Sequence, residues 1–124
     1  MWAQKKIVLV VDDNHDAADS LAILIRLRGH QSLVAYDTAT GLKLAEETNP
    51  DVIIHDIGLP ITDGYTAARQ LRSNPNFKNT LLVALTAYSL TPDRKRAKLA
   101  GFDFHFAKPL DLDDLDAILY RRAG

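Results

Sequence analysis

Apolar residues recur along the chain in two alternating rhythms. The runs Ile7–Val11 (IVLVV), Val52–Ile54 and Leu81–Leu85 (LLVAL) are continuous and rich in branched side chains, the pattern of strands covered on both faces in a parallel sheet. Gln31–Ala35 is a weaker strand, and Phe104–Ala107 makes a short last one. Between these runs the apolar spacing changes to that of helices. Asp16–Arg28 carries Leu21, Leu24 and Ile25 on one stripe, and Gly29 supplies the stop. Thr38 is placed to cap a second helix with Leu42 and Ala45 turned inward, ending near Asn49-Pro50. Asp63 is placed to cap a third bearing Tyr65, Ala68 and Leu71. Thr91-Pro92 starts a fourth, a cap followed by proline in the first helical position. Asp111 caps the last, with Leu112, Leu115, Ile118 and Leu119 on one face.

Five strands alternating with five helices predict an α/β, doubly wound fold, because parallel neighbours need crossovers and crossovers are right-handed. The sequence shows no internal repeat, low-complexity tract or linker rich in Gly, Ser and Pro, so a single domain over 1–124, with a core of about 5–121, is expected. In such sheets ligands bind beyond the carboxyl ends of the strands.

Composition narrows the classes. With 47% hydrophobic and 25% charged residues over 124 positions, the chain falls among ordinary globular domains. Fifteen basic against 16 acidic residues leave a formal charge of -1, so no broad field recommends nucleic acid or a membrane surface. The absence of cysteine removes disulfides and thiolate metal sites and suits a cytoplasmic setting. The five-residue apolar run after Lys5-Lys6 is far too short for a signal-peptide core or a membrane span.

The strand ends carry the chemistry. Asp12 and Asp13 follow the first run, Asp56 the third, Thr86 the fourth and Lys108-Pro109 the fifth. If the strands are neighbours, these groups crowd one edge of the sheet. Three carboxylates there repel, at about 4 kcal/mol for each close contact in an effective dielectric near 20. A divalent cation relieves this, and oxygen ligands without cysteine or a suitably spaced histidine pair favour Mg²⁺. Lys108 adds a mobile positive charge for Asp56 or for an oxyanion attached to it. A carboxylate so placed can attack phosphorus and form an aspartyl phosphate, with Thr86 hydrogen-bonding a phosphoryl oxygen.

The segments VLVVDDN, DVIIHDIGLPITDG, ALTAYS and GFDFHFAKP resemble, in order and in spacing, the response-regulator receiver domains of two-component signalling. The resemblance covers nearly the whole chain, and four fragments in register are far more specific than any one. It implies a flavodoxin-like sheet in the order 2-1-3-4-5 and a phosphorylation-dependent switch. Asp56 would take a phosphoryl group from a histidine kinase, a histidine phosphotransfer protein or a small phosphodonor. Asp13, Asp56 and the Gly58 carbonyl would bind Mg²⁺ directly, with Asp12 acting mainly through water. Thr86 would be the switch hydroxyl, Lys108 the phosphoryl-oxygen ligand and Pro109 the residue shaping its loop. The readout surface would be the fourth helix, fifth strand and fifth helix. The chain would be a monomer or weak dimer, catalysing its own phosphorylation and dephosphorylation, and acting on an effector protein or domain rather than directly on nucleic acid.

Departures from the family are equally specific. An aromatic residue usually stands three positions before the lysine, where this chain has His105. Imidazole is smaller and titratable, which weakens a simple hydroxyl–aromatic coupling. Strand alternation sends the neighbouring Phe104 and Phe106 to the opposite face, towards the core. The positions tied to phosphoryl lifetime hold Gly58 and Tyr88.

Each feature has a plainer reading. Asp12 and Asp13 alone suit a solvated helix N-terminus. Thr86 could simply end a strand, and Lys108-Pro109 could form an ordinary loop. His55, beside Asp56, points to the opposite face and reads as a packed, hydrogen-bonded histidine rather than a phosphate relay. Arg94, Lys95, Arg96 and Lys98 read as a solvated basic helix. Two other function classes compete. An aspartyl-phosphate phosphatase needs an acid/base close to the nucleophile and a substrate pocket, yet no DxD surrounds Asp56 and no cap insertion is present. A phosphate-independent interaction module would not need the acid pair, acceptor and lysine together, although His105 suits it.

Overall fold

The structure, a computed structural model, describes residues 5–57, 64–86 and 94–120. Among the described residues, five strands and five helices alternate: β1 Ile7–Val11, α1 His15–Leu27, β2 Gln31–Ala35, α2 Thr38–Thr48, β3 Val52–Asp56, α3 Gly64–Arg72, β4 Leu81–Thr86, α4 Arg94–Ala100, β5 Phe104–Ala107 and α5 Leu112–Leu119. A short 3₁₀ turn, Pro75–Phe77, precedes β4. The strands are parallel and ordered β2-β1-β3-β4-β5, the doubly wound arrangement expected from the alternation.

The period of two along each strand divides the interior into two clusters. Val8, Val10, Val52, Ile54, Val83 and Leu85 face α1 and α5, which contribute Ala18, Ile25, Leu115, Ile118 and Leu119. Leu9, Val11, Ile53, Leu82 and Ala84 face the other way, against Ala45 of α2, Tyr65, Ala68 and Leu71 of α3, and Ala97 and Ala100 of α4. Branched runs without polar alternation therefore form β1, β3 and β4, each greasy on both sides. Among the described residues, no helix is long and apolar enough to cross a membrane.

Helix starts differ in detail from the sequence reading. Asn14, with extended backbone, caps α1 by accepting the Ala17 N–H, so the helix begins at His15 rather than Asp16. Asp37, not Thr38, caps α2: its carboxylate accepts the Thr40 N–H at 2.7 Å, and Thr38 becomes the first helical residue. A carboxylate accepts more strongly than a hydroxyl at this position, and the helix dipole favours its charge. Asp111 caps α5 as expected, accepting the Asp114 N–H. Gly29 follows α1 with φ +86°, a conformation costly for other residues. The proposed caps Asp63 and Thr91, with Pro92, lie outside the described residues, as do Gly58 and Tyr88.

One arginine gathers the amino-terminal rim of the sheet. Arg72, at the end of α3, donates to the carbonyls of Gly101, Phe77 and Thr80 at 2.9, 2.9 and 2.8 Å, and it pairs with Asp103. Asp103 in turn accepts the Leu82 N–H at the start of β4. Near the same rim, buried His30 accepts the Lys6 N–H on Nδ1 at 3.0 Å and meets the Tyr120 ring edge-on. At the opposite rim, α3 starts hard against the chain leaving β3. A Cβ on Gly64 would lie 2.8 Å from Ile57 Cα, which explains a glycine there.

Candidate functional site

Strand register brings the predicted groups together. Val11 pairs with His55, so the chain passes from the last β1 rung to Asp12 beside Asp56. Asp56 pairs with Leu85, and Thr86 pairs with Ala107, which places Lys108 one residue beyond the last β5 rung. The turn after β1 is held by the Asp12 N–H to the Ala35 carbonyl and by the Asn14 N–H to Asp12 Oδ1, both at 3.0 Å. The Lys108 N–H donates to the Thr86 carbonyl at 2.8 Å. The Lys108–Pro109 peptide is cis.

Asp12, Asp13 and Asp56 each offer a carboxylate oxygen within 4.8 Å of the others. Asp12 and Asp56 are buried at 2% and 8% exposure, while Asp13 opens to solvent. Lys108 Nζ lies between the two buried acids, 2.6 Å from Asp12 and 2.8 Å from Asp56. Burial raises the Asp12 carboxyl above the ordinary carboxylate range, against the downward pull of Lys108 and the Asn14 N–H. Burial pulls the Lys108 ammonium down, but its hydrogen bonds to Asp12 and Asp56 outweigh this and hold it above the usual lysine value. The two shifts have different causes, burial for the Asp12 carboxyl and the paired carboxylates for the Lys108 ammonium.

These residues fit a hard divalent cation. The donors are all oxygen, they are already within ligating reach of a common point, and the solvent-facing Asp13 leaves room for retained waters. They also fit a phosphoryl group. Thr86 Oγ1 is buried and has no hydrogen-bond partner among the described residues, a donor at the strand end beside Asp56.

His55 is where the alternation put it, buried and bonded on the face opposite the Asp56 side chain. Phe104 and Phe106 stack on each other at 5.9 Å and pack, half-buried, against the α1/α5 cluster. Half-buried His105 lies between them in sequence and so shares the face of Thr86. Lys95 and Lys98 of α4 are exposed, as a solvated basic helix requires. Sequence reasoning did not assign Asn14, which both caps α1 and holds Asp12; its signal is an Asx turn, an Asp two residues before an Asn at a helix start.

Residues 8–120 match the response regulator receiver domain family. The chain belongs to that family. Among curated relatives of this receiver, the transcriptional regulatory protein PrrA of Mycobacterium leprae is 39% identical over 120 residues, which are 94% of this chain and 51% of PrrA. The chain thus spans about half the length of that relative. Among solved structures, the receiver domain of the sensor histidine kinase PA1611 of Pseudomonas aeruginosa is 31% identical with a TM-score of 0.82, covering 94% of this chain and 95% of that one. It has a magnesium ion coordinated in its active-site cleft. The receiver domain of Saccharomyces cerevisiae Ssk1, solved with the histidine phosphotransfer protein Ypd1, is 25% identical with a TM-score of 0.83, covering 96% of this receiver and 89% of that chain.

Proposed function

We propose that this receiver is a phosphorylation-dependent switch whose acceptor is Asp56, charged in a Mg²⁺-dependent reaction by a histidine kinase or histidine phosphotransfer protein. The observation that carries the reading is Lys108 Nζ bound to both Asp12 and Asp56 at the carboxyl edge of the sheet. A lysine bridging a buried acid pair serves catalysis better than stability, since an apolar core of equal volume costs less.

An Asp56 carboxylate oxygen attacks the phosphorus of a phosphohistidine; the O–P bond forms, the P–N bond breaks, and its electron pair returns to the donor imidazole. Asp12, Asp13 and Asp56, with the Gly58 carbonyl carried over from the family, would hold Mg²⁺, which neutralises charge on the phosphoryl oxygens when bound. Lys108 turns its ammonium from the carboxylates to a phosphoryl oxygen. Thr86 donates its unsatisfied hydroxyl to another. His105, on the Thr86 face of β5, follows that movement, and Pro109 shapes the loop carrying Lys108.

The acyl phosphate adds about one negative charge and new acceptors to the pocket. Converting a 1:99 equilibrium to 99:1 takes about 5.5 kcal/mol, within reach of a few charge-assisted hydrogen bonds. The new state alters binding of an effector protein or domain at the α4–β5–α5 face. The receiver works in the cytoplasm, monomeric or weakly dimeric, whether it stands alone or within a larger regulator or hybrid kinase. It turns over no external substrate and makes no direct contact with nucleic acid or membrane. The Mg²⁺-bound receiver of PA1611 and the complex of Ssk1 with Ypd1 support this choice of metal and donor.

The test is intact mass after incubation with Mg²⁺ and acetyl phosphate or phosphoramidate. One phosphoryl group is expected, reduced by a chelator and lost in Asp56→Asn. Undiminished uptake in Asp56→Asn removes that residue from the role.

A further inference from the structure

Immediately before the acceptor stands a histidine with both ring nitrogens engaged. His55 is 3% exposed, and a polar ring is tolerated at that depth when it is hydrogen-bonded. Its Nδ1 lies 2.7 Å from the Asp56 carbonyl oxygen, and its Nε2 lies 3.2 Å from Thr38 Oγ1. A carbonyl oxygen only accepts, so Nδ1 carries the hydrogen. In the neutral ring, Nε2 is then the acceptor for the Thr38 hydroxyl. The two neighbours together select one tautomer and one ring orientation.

The ladder shows where that carbonyl sits. Pairing of β1 with β3 ends at Val11 and His55, whereas pairing of β3 with β4 runs on to Asp56 and Leu85. The Ile57 N–H donates to the Leu85 carbonyl at 3.0 Å. The peptide unit leaving the acceptor is therefore held by β4 through its N–H and by His55 through its carbonyl. Thr38, buried as the first residue of α2, anchors the far side of the ring.

Granting Asp56 its role as acceptor, we propose that His55 is a positioning residue for phosphoryl transfer. Its Nδ1–H fixes the Asp56 carbonyl, and Thr38 fixes the ring, so the carboxylate is presented in one orientation to Lys108 and to the phosphodonor. It carries no phosphate itself, because both nitrogens are committed and its side chain lies on the face opposite the Asp56 carboxylate.

Three measurements test this. In protein labelled with ¹⁵N at histidine, the His55 ring is expected to bear its hydrogen on Nδ1; a ring bearing it on Nε2 alone overturns the proposal. In the acetyl phosphate assay, His55→Leu keeps side-chain volume without a donor and is expected to slow uptake about tenfold, as small misplacement of a reacting group does. His55→Asn, which offers an amide N–H near the Nδ1 position, is expected to stay within about threefold of the parent rate. A Leu variant as fast as the parent overturns the proposal, as does an Asn variant slowed equally with Leu, since packing alone would then explain both. If the Leu variant does not fold, the ring spectrum and the Asn rate decide, a loss beyond threefold in Asn overturning the proposal. Asp56→Asn run alongside separates the two readings: a parent that takes up no phosphate removes the acceptor, while the ring spectrum still reports the His55 bond.

Discussion

The backbone N–H of Lys108 donates to the carbonyl of Thr86 at 2.8 Å, joining the cation and the buried hydroxyl through the last rung of two adjacent strands. The pair is unequal in the resting molecule. Lys108 has two carboxylates, while the Thr86 hydroxyl has no hydrogen-bond partner among the described residues. A buried polar atom left unsatisfied costs about 1–3 kcal/mol. Thr86→Val is therefore expected to leave the unphosphorylated protein as stable as the parent, or more stable by up to about 1 kcal/mol. The same variant should lose the phosphorylation-induced change in partner binding. Urea unfolding measures the first and titration with the phosphorylated protein the second; a loss of stability would show that the hydroxyl already has a partner.

Lys108→Met leaves Asp12 and Asp56 facing each other without the ammonium. Breaking a buried pair this way costs a few kcal/mol, and partial solvent access at Lys108 reduces that to about 1–3 kcal/mol. Millimolar Mg²⁺ should restore most of the loss by supplying the missing charge. Chemical denaturation with and without Mg²⁺ reads both effects, and a variant indifferent to the cation would contradict the carboxylate cluster as its site.

Acid sensitivity should trace in part to His30. Burial, aided by the Lys6 charge, lowers its imidazole below the ordinary value of 6.5. The unfolded chain then binds the proton first as pH falls, so the unfolded state holds more protons between the lowered value and 6.5. This stabilising contribution is complete above pH 6.5 and is lost as pH falls through that window. His30→Gln keeps an acceptor for the Lys6 N–H without titrating. Its melting temperature should fall less steeply than the parent's between pH 7 and pH 5; parallel profiles would assign the acid sensitivity elsewhere.

Arg72 binds the backbone carbonyls of Phe77, Lys78, Thr80 and Gly101 together with Asp103, tying the end of α3 to the segments that enter β4 and β5. Arg72→Lys cannot reproduce the planar fork, so it should destabilise by about 2–4 kcal/mol, nearly as much as Arg72→Met. The phosphorylation rate of the folded fraction should be unchanged, because the arginine sits at the rim away from the acids. Thermal melts compared with initial uptake rates separate these two effects.

How much of this was visible in the chain depended on how regular the governing pattern is. Asp12, Asp13, Asp56, Thr86 and Lys108 were legible because uniform strands of similar length bring their carboxyl ends level, so residues following each apolar run converge. The burial of Ile25, Leu71 and Ile118 followed from helical period in the same way. Arg72 was not legible: its partners are mostly main-chain carbonyls from Phe77 to Gly101, and a carbonyl leaves no mark in a sequence. The cap of α2 was misplaced by one residue because Asp37 and Thr38 are both good caps, and the chain geometry, with Asp37 extended, chooses between them. The partners of His55 were likewise not legible, because the Asp56 carbonyl and Thr38 Oγ1 meet its ring only in the folded chain and no local spacing encodes that meeting.

The sheet also acts as a bulkhead. The α1/α5 compartment and the α2/α3/α4 compartment are sealed from each other by strand backbones, and the acids stand at the seam where both end. Repacking one compartment, as by Ile25→Val, should therefore add to a change such as Leu71→Met in the other with little interaction energy. The two hydrophobic halves of this small domain can be tuned separately, while the carboxylates between them keep their spacing.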